Sequence, residues 1–394
     1  MRVIFTGQTG INRSKEILKN LALFALKTEG YPEDLNDDES RKYLTVYSLN
    51  EEIKNLGIDI ISFLDSHNPT AKVDAWKKAF NNILSSIQDE KPEHAFLSMH
   101  HLFYRYSSFF SPVDWEGLIK DFQPDIFITL IDDIFSIWRR INIQDKMSPS
   151  GSYFRLREIA SWRSAEILFT DFLAKCLPSS KSIKNYVVAA KHPTKMLYRL
   201  LFEPEKLIVY AAFPITSTRK ESKKIEEINK FRMKLHEKFT VFDPITIDED
   251  VLRIVLDKQI KRGKILLIRK EDRWPIPNNW SLCEDVDYPI KLYANEAREV
   301  VKDIRDHIKL RDFRLIDQSD CLAGYRPNYE GKRSTGMLAE ITYARDVALK
   351  RCFFVHFPDR DGGLKGSPFA GTGVVFDSVE NLIKALQNQE KKKA

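Results

Sequence analysis

Short apolar runs alternate along this chain with longer segments whose apolar residues recur every three or four positions. That is the pattern of buried strands separated by amphipathic helices. In the first 200 residues it predicts strands at Val3–Thr6, Ile58–Leu64, Ala95–Phe103 and Asp125–Ile131. Helices are predicted at Ser14–Thr28, Asp114–Asp121, Asp132–Ile141 and Tyr153–Lys175, the last after a break rich in Ser, Pro and Gly at Met147–Ser152. The pattern restarts with a strand at Lys206–Ala212, a helix at Glu221–Lys238 and a strand at Phe239–Phe242 that ends in Asp243-Pro244. An irregular stretch around Trp274–Asn279 separates these from a helix beginning near Ala294. A strand entered at Asp320, a helix carrying Glu340, strands Cys352–Phe357 and Gly373–Phe376, and a helix at Ser378–Gln387 follow. Such alternation argues for parallel sheets covered by helices on both faces, an α/β fold of two Rossmann-like three-layer domains. Their expected extents are 1–195 and 205–394, the second carrying an insertion at about 245–296.

Composition narrows the class. A chain of 394 residues, 43% hydrophobic and 30% charged, has material for two globular cores. The net charge of +6, from 62 basic and 56 acidic side chains, suits small anionic ligands and makes no case for a nucleic-acid surface. Cys176, Cys283, Cys321 and Cys352 form no C-x-x-C pair, so neither a disulfide framework nor a zinc site is expected and a cytoplasmic setting is. No apolar run has membrane-spanning length, and no membrane partner is expected. The Lys391–Lys393 run reads as a solvated end.

Two stretches carry candidate chemistry. Gly7-Gln-Thr-Gly10-Ile-Asn12-Arg13-Ser14 follows a strand and opens a helix, the setting in which backbone N–H groups and the helix dipole receive a phosphate. With Met99-His100-His101-Leu-Phe-Tyr-Arg105 and Pro124–Arg140, including Arg139 in a double arginine, residues 1–175 resemble adenylate kinases of the archaeal type. The resemblance implies a P-loop nucleotide-binding site at Gly7, Gly10, Asn12, Arg13, Ser14 and Arg139, with ATP and Mg as its cofactors. Asn12 stands where that family's loop has its second glycine and Arg13 where it has lysine, while Ser98 or Met99 replaces its strand-end aspartate. A P-loop fold retained as a scaffold therefore stands beside an active kinase. His100 and His101, adjacent on a predicted strand, would point to opposite faces, and no metal site is expected.

The second stretch joins Arg311-Asp312-Phe-Arg-Leu-Ile-Asp-Gln-Ser319-Asp320, read as a helix entering a strand, to Ser334-Thr-Gly336-Met-Leu-Ala-Glu340, read as a loop opening a helix. This layout is expected to bring Asp320, Glu340 and a set of backbone N–H donors to the carboxyl edge of a parallel sheet. Together with Val209-Tyr210-Ala-Ala-Phe213-Pro214-Ile-Thr216, these segments make residues 206–358 resemble the nucleoside 2-deoxyribosyltransferase superfamily, which includes 2′-deoxynucleoside 5′-phosphate N-hydrolases. The resemblance implies Glu340 as nucleophile, Asp320 acting on the sugar or the leaving base, and Tyr210 completing the catalytic set. Phe213 and Pro214 would lie under the ribose, with Ser334 and Gly336 at a 5′-phosphate. Ser334 stands where transferases acting on free nucleosides carry aspartate, which favours a nucleoside monophosphate. Asp312 reads as structural, bonding a neighbouring loop, and Asp243 as the cap of a turn.

The expected function is hydrolysis, or sugar transfer, at the N-glycosidic bond of a (deoxy)nucleoside 5′-monophosphate, with no cofactor required for the cleavage. Alternatives are an active nucleoside or nucleotide kinase with a C-terminal nucleotide-sensing domain, a non-catalytic module binding a nucleotide-derived signal, and an NAD-cleaving glycohydrolase. A homodimer or higher homo-oligomer is compatible with each.

Overall fold

The computed structural model describes residues 1–11, 16–144, 153–176, 182–259, 264–275, 288–327, 334–356 and 373–393. The chain divides into two compact units. Unit 1 is Met1–Thr194 with Glu249–Arg273 and Pro277–Lys302; unit 2 is Lys195–Asp248, Trp274–Ile276 and Asp303–Ala394. Most of the segment read from the sequence as an insertion in the second domain thus groups with the first unit. Within unit 1, Glu249 pairs with Arg163, and Arg273 with Asp133.

Unit 1 contains β1 (Arg2–Thr6), α1 (Leu18–Glu29), β2 (Leu44–Ser48), α2 (Pro69–Glu90), β3 (His94–Ser98), β4 (Ile126–Ile131), α3 (Ile134–Arg139), α4 (Leu156–Cys176) and β5 (Lys184–Ala189). Its sheet is parallel throughout, in the order β2-β3-β1-β4-β5. The chain leaves β1 toward one edge and β4 toward the other, so the order reverses between these two neighbours. The crevice outside their carboxyl ends is where open α/β sheets take ligands. Asn68 caps α2 by accepting from Ala71 N, and Pro69 occupies its first turn. Trp76, Phe80, Ile83 and Ile87 of that helix join Ile4 and Leu97 in one core. A buried aromatic of Trp76's size is worth roughly 3–5 kcal/mol against alanine.

One predicted strand is a helix. Ile58–Leu64 has an apolar run, but Asp59 accepts from Ser62 N at 2.8 Å and starts a helix at Ile60–Asp65. Ile60, Phe63 and Leu64, spaced three and four apart, are its buried face. The edge strands β2 and β5, which the sequence reading passed over, flank the sheet instead.

Unit 2 contains β6 (Ile208–Ala212), α5 (Ser222–Lys238), β7 (Thr240–Phe242), the part of α6 (Ala294–Asp317) from Asp303, β8 (Cys321–Arg326), α7 (Thr335–Thr342), β9 (Arg351–His356), β10 (Val374–Phe376) and α8 (Val379–Lys393). Its parallel sheet has the order β10-β9-β8-β6-β7, the flavodoxin-like arrangement, whose switch point lies between β6 and β8. Strand alternation sorts the side chains. Val209, Ala211 and Phe213 of β6 and its end, with Cys321, Ala323 and Tyr325 of β8, pack under Ile228, Phe231 and Leu235 of α5 and Leu382 and Leu386 of α8. Tyr210 and Ala212, in register with Leu322 and Gly324, therefore face the other side. There α7 comes down close, because a Cβ at Gly324 would lie 3.1 Å from Met337 Cε and 3.2 Å from Phe354 Cβ.

Each unit is thus an α/β layer structure built on a parallel sheet. No helix among the described residues is long and apolar enough to cross a membrane.

Candidate functional site

In unit 2 the chemistry gathers on the α7 face of the sheet. Ser334 caps α7, its hydroxyl accepting from Met337 N at 3.3 Å, and Glu340 sits six positions further on. At about 1.5 Å of rise per residue, one helix carries a hydroxyl and a carboxyl roughly 9 Å apart along its axis. Glu340 is buried, and the fully buried Tyr210 and Asp312 of α6 are near enough to act on its ionisation. Among the described residues neither Glu340 Oε2 nor Tyr210 OH has a partner in good hydrogen-bond geometry, although the two lie close enough to act on each other's protonation. Burial, and then the Asp312 charge, push the Glu340 carboxyl well above the usual range. Burial likewise keeps the Tyr210 phenol protonated, with Asp312 and Glu340 adding to the shift. Buried polar groups with shifted protonation that lie together in one sheet face are candidates for a site.

Asp312 is anchored from its own neighbour. Arg311 donates to Asp312 Oδ1 through Nε at 3.0 Å and Nη2 at 2.8 Å. The same guanidinium donates to Ile247 O at 2.9 Å and Pro244 O at 3.3 Å, in the loop that follows β7. That loop is itself pinned at both ends. Asp243 accepts from Arg232 Nε at 2.7 Å and from Ile245 N at 3.2 Å, and His236 stands 3.4 Å from the same carboxylate. Asp248 takes a two-pronged bond from Arg219, at 2.8 and 2.5 Å, and another from Trp274 N at 2.9 Å. Burial opposes ionisation of Asp243, but Arg232 and His236 outweigh it and hold the carboxyl well below its usual range.

The structure brings together Glu340 and Tyr210 and sets Ser334 and Gly336 at the start of the same helix. It separates Asp320 from them. Asp320 precedes β8 at the amino edge of the sheet, where its Oδ2 accepts from Ile208 N at 2.8 Å and Lys393 Nζ at 2.7 Å. The expectation that Asp320 reaches the carboxyl edge is corrected by strand polarity: a helix entering a parallel strand enters at its amino end, and the carboxyl edge of β8 is at Arg326. Asp312, read as structural, takes the place beside Glu340 instead. Phe213 also departs from expectation. It is buried on the opposite face of the sheet, 6.1 Å from the Trp274 ring and 5.5 Å from the Arg232 guanidinium carbon. Pro214 follows it at the carboxyl edge and starts the short helix Ile215–Thr218. The buried Arg326, on the same face as Gly324 by alternation, is a cation at that edge that sequence reasoning overlooked; strand period and strand direction together would have shown it.

In unit 1 the carboxyl ends of β1 and β4 hold a dense set of buried charges. Asp132 pairs with Arg140 at 2.8 Å and Lys191 at 3.1 Å. Asp133 pairs with Lys191 at 2.5 Å and Arg273 at 3.0 Å, and accepts from Ser136 N to cap α3. Arg163 grips Glu249 at 2.6 and 3.2 Å. The glycine loop rests against this network. Gly10 has φ +90° and its carbonyl accepts from Arg140 Nη1 at 3.1 Å, while a Cβ there would lie 2.8 Å from Ile141 Cγ1. Gly7, at φ +142°, has no room for a Cβ, which would lie 2.4 Å from Leu130 O, and its carbonyl meets His100 Nδ1 at 2.7 Å. His101 turns to Thr170 Oγ1 at 2.8 Å, so the two histidines serve different partners. Arg139 ends α3, and its Nε has no partner among the described residues. Asn12, Arg13 and Ser14 lie outside the described residues. Compared with known proteins, the chain matches no family model, and among curated sequences it finds no significant match.

Proposed function

We propose that unit 2 cleaves the N-glycosidic bond of a nucleoside 5′-monophosphate, with Glu340 as the carboxylate at the anomeric carbon. The observation that carries this reading is the buried Glu340–Tyr210–Asp312 group on the face of a parallel sheet next to its switch point. Cleavage of such a bond builds positive charge on the sugar. A desolvated carboxylate facing that charge stabilises the transition state more than the ground state, which is the condition for catalysis. As the C1′–N bond breaks, its electron pair leaves with the base, which takes a proton from solvent. Glu340 then bonds C1′, and water hydrolyses the glycosyl ester. Asp312, in the part the sequence reading assigned to Asp320, binds the sugar, and Tyr210 donates a hydrogen bond toward the reacting carboxylate. The Ser334 cap and the first N–H groups of α7 suit the phosphate end of the same molecule. The resemblance to nucleoside 2-deoxyribosyltransferases points to the same chemistry.

For unit 1 the reading is a nucleotide-kinase-like scaffold without phosphoryl transfer. In support, Arg140 occupies the Gly10 carbonyl, Ile137 and Ile141 fill the space above the glycine, and the basic groups at the end of β4 are spent on Asp132, Asp133 and Glu249.

Incubation with a panel of NMPs, dNMPs, nucleosides and NAD, each with and without ATP and Mg, tests both readings by chromatography of the products. Free base from monophosphates and none from the matching nucleosides is expected. Base from nucleosides alone, nicotinamide from NAD alone, or a phosphorylated product without free base would replace this proposal with one of its rivals.

A further inference from the structure

We infer that Arg311 is the positioning residue of this site: its guanidinium fixes Asp312 beside Glu340 by tying Asp312 to the loop after β7. The inference rests on the reading of Glu340 as the reacting carboxylate. Neighbouring residues on a helix project about 100° apart and do not ordinarily meet. Here Arg311 turns back onto Asp312 Oδ1 through two nitrogens and spends its remaining reach on the carbonyls of Ile247 and Pro244. Its side chain is buried, so these bonds compete little with water. The planar fork suits this work because its donors lie at fixed angles, which a lysine ammonium cannot reproduce.

Two consequences can be separated. The fork sets where the Asp312 carboxylate points, and the positive charge offsets part of the repulsion between Asp312 and Glu340. Among the described residues, Tyr210 of β6 and Arg311 and Asp312 of α6 act on Glu340, and the buried Arg326 of β8 lies on the same face of the sheet. Arg311 acts on Glu340 against Asp312, favouring its ionised form. Arg311→Met removes fork and charge; Arg311→Lys removes the fork and keeps the charge.

The test follows the infrared C=O band of the protonated Glu340 carboxyl, identified as the band lost in Glu340→Gln, across pH in wild type and both variants. Thermal unfolding checks that each is folded, and steady-state kinetics are run on the best monophosphate. In Arg311→Met the midpoint of the Glu340 band is expected to move up by about one pH unit or more. The acid limb of kcat should follow it, and kcat should fall about tenfold or more with little change in KM. In Arg311→Lys the midpoint stays within a few tenths of a unit of wild type while kcat still falls. An Arg311→Met protein that is folded, with the band and kcat both unmoved, overturns the inference. So does a loss in both variants that appears only as lowered thermal stability. A wild type that releases no base from any substrate sinks the glycosidic reading instead; the infrared shift then still decides whether Arg311 governs the pair.

Discussion

Glu340→Gln is expected to lower base release by about a thousandfold or more at every pH while making unit 2 more stable. On the proposed mechanism, the loss follows from replacing the group that would meet the sugar cation with one that can neither ionise nor form a glycosyl ester; removing a catalytic nucleophile or its partner commonly costs at least this much. The gain follows from linkage. Glu340 lies buried beside Asp312, and its carboxyl is held well above the usual range. The native state therefore keeps a proton that the unfolded chain has already released. From the ordinary glutamate value upward, the unfolded state binds fewer protons, so stability falls as pH rises until the raised value is passed. Glutamine has no such proton. The variant should melt above wild type, by a wider margin at about pH 8 than at about pH 5, and calorimetry at both values checks it. An inactive variant that melts lower, with no such widening, would mean that Glu340 holds the fold together and that its loss says nothing about chemistry.

The alternation of apolar runs and amphipathic segments was enough to read two parallel-sheet units, because strand and helix periods are set by local geometry. What misled that reading was also local. Ile58–Leu64 has strand-like apolar density, and only the Asp59 cap and the spacing of Ile60, Phe63 and Leu64 mark it as helical. The segment after Asp248 was assigned by sequence neighbourhood, whereas Glu249 and Arg273 are held by Arg163 and Asp133, far away in the chain. The start of α7 at Ser334 and the placing of Glu340 near Tyr210 are legible from order and spacing. That Asp320 lies at the amino edge and Asp312 near Glu340 needs the polarity of β8 and the face of α6. A parallel strand following a helix begins at the edge away from the switch point, so an acid at the join could have been set aside from the sequence alone. The opposite placement of Phe213 has the same root: it is three residues after Tyr210, an odd step that crosses to the other face of an extended strand.

Asp243→Ala should be the most damaging single change to unit 2. The carboxylate is fully buried and pairs with Arg232, whose side chain is equally buried. Removing the acid leaves a guanidinium with its main countercharge gone, and breaking a pair of this kind costs about 3–5 kcal/mol. It also deletes the acceptor for Ile245 N, which starts the loop whose carbonyls hold Arg311, so base release should fall along with stability. Urea unfolding monitored by the aromatic signal measures the first effect, and activity under native conditions measures the second. Pairing Asp243→Asn with Arg232→Met separates charge from shape: the amide can still accept from Ile245 N, and no stranded cation remains. That double variant should recover a clear part of the loss. The pH dependence has a definite sign. Burial holds His236 below its ordinary value despite Asp243, and Asp243 is held below its own by Arg232 and His236. Both groups bind fewer protons when folded, so both contributions are complete at neutral pH and fade on acidification. The fading begins near the ordinary histidine value of about 6.5 and continues below the ordinary aspartate value of about 3.9. In Asp243→Ala only the histidine part should remain. A variant whose acid sensitivity matches wild type below about pH 4 would show that the Asp243–Arg232 pair fills space without stabilising the fold through its charge.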